Sequence, residues 1–424
     1  MMALLVIGLF LLFIAVGVPI AFSLGFSALV YLLVAGVPVT VIPQTMFAGL
    51  DSFVMLAIPA FILAGNLMNA GGITNRIIDF ANALVGHIRG GLALTNVASS
   101  LGFGGISGTA LSDTASIGSV MIPAMKKQGY GSGFSAAVTS ISSTVGPMLP
   151  PSLPMIIIGT LATISIGDLF VAGAIPGVLL SIGFLIVTYL ISVKRQYPKG
   201  RKHSVSEIGK SFLGAFWALL MVVIILWGIL GGYFTPTEAA VVVVFYAFIV
   251  GKFVYKELDL KEIPVIMMDT LRTTASILIL VALANTFGWI LVAEGVPLLV
   301  ADVILSITEN PFFVILLIIL LLLIIGMFME TIAAIVILFP VLLPVAESIG
   351  MDPIHFSIVM VLALMIGLST PPVGVCLFVA SSFANVKIMT TVKELIPYFV
   401  VAIIVLIIVA FVPSLSLFLP SLFE

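Results

Sequence analysis

Charged residues are scarce in this chain. Lys, Arg, Asp and Glu make up 8% of its 424 residues, and hydrophobic residues make up 62%. Soluble domains carry about 25% charged residues. A soluble fold of this length could not cover its surface with so few charges, so the lipid bilayer must be the solvent for most of the chain.

Other absences narrow the function. The single cysteine, Cys376, excludes a disulfide framework, and three scattered histidines do not suggest a metal cluster. A net charge of −2 provides no basic field for nucleic acid, so no nucleic-acid partner is expected. No nucleotide-binding motif is present, so ATP is not the direct energy source and no ATPase partner is expected. No Lys or Arg precedes Arg76, so the first apolar stretch lacks the charged start of a signal peptide and is predicted to be a membrane span.

Apolar stretches of about 20 residues predict the membrane spans. Two further stretches, about 91–125 and about 311–347, are long enough to enter the bilayer and turn back, and each has a Gly-rich or polar middle. We predict a re-entrant hairpin in each; the alternative is one crossing helix apiece. The ten predicted spans are roughly 2–18, 20–37, 53–70, 133–163, 169–193, 212–232, 237–255, 273–293, 355–384 and 391–416.

The basic residues orient these spans. The longest polar loop, Lys194 to Lys210, is rich in Lys and Arg and is predicted to be cytoplasmic. With both hairpins re-entrant, all 16 basic residues fall on that side. A full crossing at either hairpin would break this distribution. The far side then collects the acidic residues Asp51, Asp168, Glu238, Glu294, Asp302, Glu309, Glu347 and Asp352.

An internal repeat appears when the two halves of the sequence are aligned without gaps. One register pairs Pro123 with Pro344, Pro150-Pro151 with Pro371-Pro372, and Pro176 with Pro397. Each half contains five crossings, an odd number, so the halves have opposite topology, as in secondary transporters. The predicted fold is an all-α polytopic membrane protein with about ten transmembrane helices and two hairpins. Residues 1–193 form the first repeat, 194–211 a cytoplasmic loop and 212–424 the second repeat.

Two spans, about 133–163 and about 355–384, carry adjacent prolines that must break the helix. Breaks at membrane depth persist where the freed carbonyls face protein or a wet cavity. Such carbonyls, with nearby hydroxyls, suit Na⁺; the alternative is a plain proline kink. The repeat predicts one Na⁺ site at Gly105, Gly108, Gly146, Leu149 and Ser152, and a second at Gly326, Met329, Gly367, Thr370 and Val373.

The hairpin tips predict the substrate site. Each return helix starts near mid-membrane, where its N-terminal N–H groups favour an anion. Neither hairpin contains Lys or Arg between its flanks, so bound cations must help to offset the substrate's charge. Asp113 and Glu330 are either ion or gate residues or helix caps. The predicted substrate and gate residues are Ser107, Thr109, Asp113, Ser143, Glu330 and Thr331.

An intramembrane enzyme is the alternative from another class. Gly105-Ile106-Ser107-Gly108 has the G-x-S-G form of rhomboid-type proteases. That chemistry needs a base inside the membrane. All three histidines fall at span ends or in loops, so no enzymatic activity is predicted.

At several motifs the chain resembles the large membrane subunit of tripartite ATP-independent periplasmic (TRAP) transporters. Gly146-Pro147 lies just before Pro150-Pro151, and Thr109 stands where the family often has Ser. The other matching motifs are Phe47–Phe53 (FAGLDSF), Ile58-Pro59, Ile106–Ala110 (ISGTA) with Asp113, Ile122–Met125 (IPAM) and Phe234–Ala240 (FTPTEAA).

Membership would imply an elevator-type Na⁺ symporter in a bacterial inner membrane. It would also imply a small four-helix membrane subunit, expected as a separate polypeptide, and a periplasmic substrate-binding protein. Family substrates are organic acids, commonly sialic acid (N-acetylneuraminate) or C4-dicarboxylates, and the chain looks closer to the sialic-acid branch. A stand-alone divalent-anion/sodium symporter of the same architecture is the alternative.

In such an elevator, the hairpins and broken spans would form the moving domain, and the remaining spans the scaffold. Amphipathic segments near 73–89 and 257–272 would lie along the membrane surface as linking arms.

Overall fold

The computed structural model describes residues 2–308 and 310–423, apart from the side chains of Ala3 and Leu305. Glu309, predicted on the far side, lies outside the described residues. Within them the chain is helical and contains no β-strand, which confirms the all-α polytopic fold. Eight helical stretches of the described part are long and apolar enough to span a bilayer.

The first repeat begins with helices that are short for spans. Helices α1 and α2 have 14 and 16 residues, against about 20 for a typical span. A 3-10 turn over Phe53–Leu56 leads into α4 and lengthens that span. The helices are α1 (Met2–Ala15), α2 (Ile20–Ala35), α3 (Val41–Leu50), α4 (Ala57–Ala70), α5 (Ile73–Val85), α6 (Gly91–Ser107), α7 (Ala110–Lys127), α8 (Ser132–Ser142), α9 (Leu153–Ala162), α10 (Ile166–Ala172) and α11 (Ala174–Lys194).

The second repeat has the same order of helices, and its first helix has 26 residues against 14 in α1. A π-helical turn over Val250–Val254 extends α13. The helices are α12 (Val205–Leu230), α13 (Pro236–Ile249), α14 (Ile263–Ala293), α15 (Val296–Ile307), α16 (Pro311–Gly326), α17 (Thr331–Ser348), α18 (Pro353–Gly367), α19 (Val375–Ala384), α20 (Ile388–Phe411) and α21 (Ser414–Leu417).

The register of the sequence repeat holds at the level of elements. The alignment that pairs Pro123 with Pro344 also pairs the first and last residues of α7 with those of α17, and the first residue of α8 with that of α18. Between these helices, Gly129 and Gly350 both adopt a left-handed backbone, with φ of 86° and 78°. Each stretch predicted to be a hairpin contains two helices, α6 with α7 and α16 with α17.

The two hairpins open towards opposite faces of the molecule. Helix α7 ends at Lys127 and α8 begins at Ser132, so both termini lie at one face. The chain then crosses through α8 and α9 to the other face. Helix α17 packs along α9, and both helices start at one cavity, which Pro154 and Thr331 line. Helix α17 therefore ends at the face opposite to the end of α7.

The predicted second arm, 257–272, is wrong. Residues 263–293 form one continuous helix, α14, about 46 Å long. No Gly or Pro lies between Pro264 and Gly288, so nothing breaks the helix near residue 272. The element in register with the first arm, α5, is α15: the alignment of the repeats places α15 on residues 75–86, against 73–85 for α5.

The predicted loop 194–211 is shorter in the structure, because α12 begins at Val205. A capping box starts this helix. Ser204 Oγ accepts a hydrogen bond from Glu207 N at 3.2 Å, and the Glu207 carboxylate accepts one from Ser204 N at 2.8 Å. Another capping box, Thr235 with Glu238, starts α13 within the FTPTEAA motif.

The spans divide into two groups, and the predicted division needs correction. Helices α1 to α4 pack with α12 to α14, and this group is here called the scaffold. The prediction places all remaining spans in that scaffold. Instead, α11 packs against α6 and α20, and α20 packs against α8 and α18, so both belong with the hairpins.

The loop between the repeats joins several elements at the basic face. Gly90 N donates to Pro198 O at 3.0 Å, and Gly200 N donates to Gly86 O at 3.0 Å. Arg195 forms a two-point ion pair with Glu394, with contacts of 3.1 and 2.7 Å. The loop therefore ties the start of α6 and the starts of α12 and α20 to one face.

Candidate functional site

The tip of the first hairpin lies against the break in the first broken helix. The hairpin turns at Gly108, whose φ of 66° favours glycine. The break contains a 3-10 turn over Ser143–Met148 and an extended segment before α9. A Cβ on Gly105 would lie 3.2 Å from Pro150 O, and one on Gly108 would lie 2.8 Å from Pro151 O. Glycines therefore allow this close approach.

The first predicted Na⁺ group is thus brought together. Gly105 and Gly108 come from the hairpin tip, whereas Gly146, Leu149 and Ser152 come from the break. Gly108 O accepts a weak hydrogen bond from Leu153 N at 3.4 Å, which joins the two segments. Ser152 also caps α9, since its Oγ accepts from Met155 N at 3.4 Å.

The second predicted Na⁺ group forms a similar junction. A Cβ on Gly326 would lie 2.9 Å from Leu364 O and 3.2 Å from Gly367 Cα. Gly374 N donates to Met327 O at 3.1 Å, so the second break is joined to the second hairpin. The Thr370 hydroxyl donates to Ile366 O at 2.8 Å and keeps its lone pairs available. Met329 and Val373 lie in the connecting segments of the same junction.

The two acidic residues of the hairpins occupy different environments. Glu330 caps α17, since its carboxylate accepts from Ile332 N at 2.8 Å and Ala333 N at 3.4 Å. The cap of α7 is instead Thr109, which accepts from Ser112 N at 3.3 Å. Asp113 is fully buried and accepts a hydrogen bond from the Ser107 hydroxyl.

The second carboxylate oxygen of Asp113 faces the break. Asp113 Oδ2 has no hydrogen-bond partner among the described residues. It lies so close to Gly146 that a Cβ added to that glycine would overlap it. A buried carboxylate needs a compensating charge or hydrogen bonds. The Asp113 carboxylate and the break are therefore in direct contact, with one carboxylate oxygen left without a hydrogen-bond partner among the described residues.

A ladder of small polar side chains holds the first break in place. Asn96 donates to Thr139 at 2.6 Å, and Ser100 donates to Ser142 at 2.9 Å. Ser143, a predicted site residue, shares a 2.5 Å hydrogen bond with Thr114. Sequence reasoning missed Ser100 and Thr114. Their partners Ser142 and Ser143 lie in the hydroxyl-rich run 135–144, which was a visible signal.

A second set of hydroxyls joins the two repeats directly. Ser140 Oγ donates to Ser369 Oγ at 3.1 Å, and Ser369 Oγ donates to Ser140 O at 2.8 Å. Ser140 lies in α8 and Ser369 in the second break, so the two broken helices touch near the molecular centre. Sequence reasoning missed both residues, because the contact is between repeats.

One central cavity lies between the two hairpin tips. Thr109 lines it from the first tip, and Glu330 and Thr331 line it from the second. The Thr331 hydroxyl is buried without a partner among the described residues. Pro147 and Pro154 of one broken helix and Leu368 and Cys376 of the other complete the wall. Of the six predicted substrate and gate residues, Thr109, Glu330 and Thr331 line this cavity, whereas Ser107, Asp113 and Ser143 do not.

A second cavity separates the first hairpin tip from the scaffold. Its polar lining comes from Ser107, Thr109 and Ser112 on one side and Asn66 and Thr273 on the other. No Lys or Arg lines either cavity within the described residues. Asn66 also donates to Thr270 at 3.0 Å, which fixes its position between α4 and α14.

Paired hairpins and paired broken helices around a central cavity define a polytopic secondary-transporter fold. The family model for the tripartite ATP-independent periplasmic transporter, DctM component, matches residues 7–415. The chain belongs to this family. It is a multi-pass permease of the inner membrane, and it is not an enzyme.

Named relatives agree with this assignment. The chain is 43% identical over 408 residues to the sialic acid TRAP transporter large permease protein SiaM of Vibrio cholerae, covering 96% of each chain. It is 38% identical over 400 residues to the C4-dicarboxylate TRAP transporter large permease protein DctM of Pseudomonas aeruginosa, covering 94% of each. Among solved structures, the Alcanivorax borkumensis YdaH transporter shares the fold, with a TM-score of 0.61 and 15% identity over 89% of this chain and 88% of that one.

Proposed function

We propose that this permease imports an organic acid anion together with Na⁺ by an elevator movement of the hairpin group past the scaffold. The observation that carries the proposal is the meeting of two hairpin tips and two helix breaks at one central cavity. Each tip abuts a break through glycine contacts, at Gly108 in the first repeat and Gly326 in the second. Such paired junctions can bind ions and substrate as one rigid unit.

The charges present support a bound cation. Asp113 is buried and its Oδ2 has no partner among the described residues. No Lys or Arg lines the adjacent cavities in the described part of the chain. A Na⁺ ion held by Asp113 and break carbonyls would neutralise the carboxylate and raise the local affinity for an anion. Coupling then results because the ion completes the anion site.

The relatives suggest the substrate class. The relatives cited above are named for sialic acid and for C4-dicarboxylates, both of which are carboxylate anions. In this chain α7 starts at the central cavity with a neutral cap, Thr109, so its positive end points towards a bound anion, whereas Glu330 already accepts from the first N–H groups of α17. We propose sialic acid as the first substrate to test and C4-dicarboxylates as the second.

The partners follow from the tripartite family. We propose that a small four-helix membrane subunit packs against the scaffold and that a periplasmic binding protein delivers the substrate. Scaffold side chains such as Phe22, Val241 and Leu271 are exposed in the isolated chain and need lipid or protein around them. A stand-alone symporter would need neither partner.

The test is uptake by proteoliposomes that contain this chain, with and without a four-helix subunit and a binding protein. We expect uptake of radiolabelled N-acetylneuraminate under an inward Na⁺ gradient, and none when K⁺ replaces Na⁺. Succinate tests the dicarboxylate alternative. Uptake at the same rate without Na⁺ would contradict sodium coupling, and full uptake by this chain alone would favour the stand-alone symporter.

Asp113→Asn tests the ion site itself. Asn keeps the shape and can still accept from Ser107, but it removes the charge that attracts Na⁺. We expect the Na⁺ concentration for half-maximal uptake to rise roughly tenfold, with the melting temperature little changed. A stable Asp113→Asn protein with unchanged Na⁺ dependence would contradict a role for the carboxylate in coupling. Asp352→Asn is the control for loss of a carboxylate that caps a helix, since Asp352 caps α18 and lines neither cavity.

A further inference from the structure

The first arm, α5, is held where it follows α4 by contacts of Arg76 with Tyr255 and Glu257, here called the clamp. Arg76, in the first turn of α5, forms an ion pair with Glu257 at 2.8 Å. Its Nη1 also donates to Gly72 O at 2.8 Å. The guanidinium lies 3.9 Å from the centre of the Tyr255 ring, within cation–π range. One side chain thus makes two contacts that join the arm to the segment after α13, and a third that fixes it to the arm's own start.

The clamp continues into α12. The Tyr255 hydroxyl donates to Gly214 O at 2.7 Å. One turn further along α5, the Phe80 ring lies 5.5 Å from the ring of Phe212. The first arm therefore contacts α12 directly at Phe80 and is joined to it indirectly through Arg76 and Tyr255. Helix α5 also packs along α6 of the first hairpin, so it lies between scaffold and hairpin.

The backbone at the arm's start is shaped around the clamp. Gly72 has a φ of 79°, which favours glycine. A Cβ there would overlap the Glu257 carboxylate and lie 2.8 Å from Arg76 Nη1. A Cβ on Gly71 would lie 2.9 Å from Gly251 Cα, so α4 and the π-helical turn are in close contact. A side chain at residue 72 would displace the Glu257 carboxylate, and one at residue 71 would push α4 away from the π-helical turn, so both positions need glycine.

The second arm, α15, is attached differently. It also follows a left-handed glycine, Gly295, with a φ of 69°. A Cβ on Gly295 would meet no atom within 4 Å. The contact at this joint is a 2.7 Å hydrogen bond from Tyr31 to Glu294, before the arm begins. Helix α15 packs mainly along α17 of the second hairpin.

We propose that Arg76, Tyr255 and Glu257 are positioning residues that fix the first arm to the scaffold, whereas the second arm moves with its hairpin. This inference rests on the proposed elevator movement. The first hairpin then moves relative to α5 about the segment 86–91, which contains three glycines and includes Gly90 with a φ of 80°. The two arms of the inverted repeat therefore differ: the first stays fixed to the scaffold, and the second moves with its hairpin.

Thiol cross-linking separates the inference from the function on which it rests. Phe80→Cys with Phe212→Cys joins the first arm to α12. Asn69→Cys with Ser116→Cys joins the scaffold to the first hairpin, where the native side chains are 3.3 Å apart. A short bifunctional thiosulfonate reagent is added to each pair in proteoliposomes, and uptake is measured before and after reduction.

We expect the arm–α12 cross-link to leave uptake unchanged and the scaffold–hairpin cross-link to abolish it until reduction. Loss of uptake on cross-linking Phe80→Cys to Phe212→Cys would overturn the fixed first arm. Unchanged uptake with Asn69→Cys cross-linked to Ser116→Cys would instead overturn the elevator movement. The two failures are therefore distinguishable.

Charge reversal tests the clamp residues. We expect Arg76→Glu to lower the maximal uptake rate about twofold to fivefold, with the substrate concentration for half-maximal uptake unchanged, because the clamp positions the arm and touches no substrate. The double variant Arg76→Glu with Glu257→Arg should recover most of the rate. Arg272→Glu, in the exposed pair with Asp269, is the control. A rate unaffected by Arg76→Glu, or no recovery in a folded double variant, would contradict the proposal.

The glycine pair provides a second variant. Gly72→Ala displaces the Glu257 carboxylate, whereas Gly295→Ala meets open space, and both carry the same left-handed backbone. We expect Gly72→Ala to slow uptake more than Gly295→Ala at equal amounts of folded protein. Equal slowing would show that backbone strain, and not the clamp, sets the rate.

Discussion

Asp113 illustrates how a residue's role depends on one neighbouring atom. A carboxylate in the first turn of α7 could cap the helix, yet Thr109 provides the cap and the Asp113 carboxylate turns towards Gly146. Glu330 occupies the tip of the other hairpin and caps α17 itself. The inverted repeats therefore share a backbone plan without sharing the role of their acidic residues.

Gly146→Ala should disrupt the first junction. The added methyl group would overlap Asp113 Oδ2, so either the carboxylate or the hairpin tip must shift. We expect a loss of about 1–3 kcal/mol of stability, seen as a lower melting temperature of the purified protein in detergent, together with a loss of Na⁺-dependent stabilisation.

Gly209→Ala is the matched control for that variant. Gly209 lies in α12 and a Cβ there meets nothing within 4 Å. Since alanine favours a helix over glycine by about 1 kcal/mol, this substitution should not lower stability. A Gly146→Ala protein as stable as Gly209→Ala would show that the carboxylate lies elsewhere.

At the scale of elements, the broken helices owe their shape to what stands opposite each break. The first break faces the glycine-rich tip 104–108, and the second faces Gly326 and Met327. Adjacent prolines predict that the helices break. The glycines of the hairpin tip that faces each break determine how closely the freed carbonyls approach that tip.

Thr370→Ala tests the second junction. The Thr370 hydroxyl donates to Ile366 O, so its lone pairs can bind a cation. We expect the Na⁺ concentration for half-maximal uptake to rise roughly tenfold. Thr45→Ala is the control, since Thr45 makes the same bond to the preceding turn, to Val41 O at 2.8 Å, within the scaffold. Equal effects of the two variants would argue against an ion at this junction.

At the scale of the whole molecule, the two repeats place their hairpins at opposite faces. The order α7, α8, α9 crosses the molecule once, and α17 lies along α9. The loop 195–204 ties the basic ends of several helices to the first face. The two hairpins therefore open at opposite faces, and their tips meet at the central cavity.

Cysteines at opposite faces should label from opposite sides of a membrane. Lys202 and Glu347 are exposed and lie at the two faces, and the native Cys376 is buried and should not react. In right-side-out vesicles, an impermeant maleimide should label Glu347→Cys and leave Lys202→Cys unlabelled until the vesicles are opened. Labelling of both residues in sealed vesicles would contradict the inverted topology.

Several features were determined by the sequence itself, because they depend on residues close in the chain. Hydropathy predicts the membrane-embedded helical fold, and the prolines predict the broken helices. The register of the repeat carries enough information to place α15, whereas the hydrophobic pattern of 257–272 points to the wrong segment. Likewise, Ser204 and Glu207 form a capping box whose residue types are visible in the sequence, although the predicted loop extends to residue 211.

Tertiary structure decided the features that join distant segments. No spacing pattern predicts that Asp113 faces Gly146, that Ser140 meets Ser369 in the other repeat, or that Arg76 pairs with Glu257. Each of these contacts joins different helices or breaks and depends on how the helices pack. A local pattern determines which backbone groups must find partners inside the bilayer, whereas the packing of the two repeats determines which partners they find.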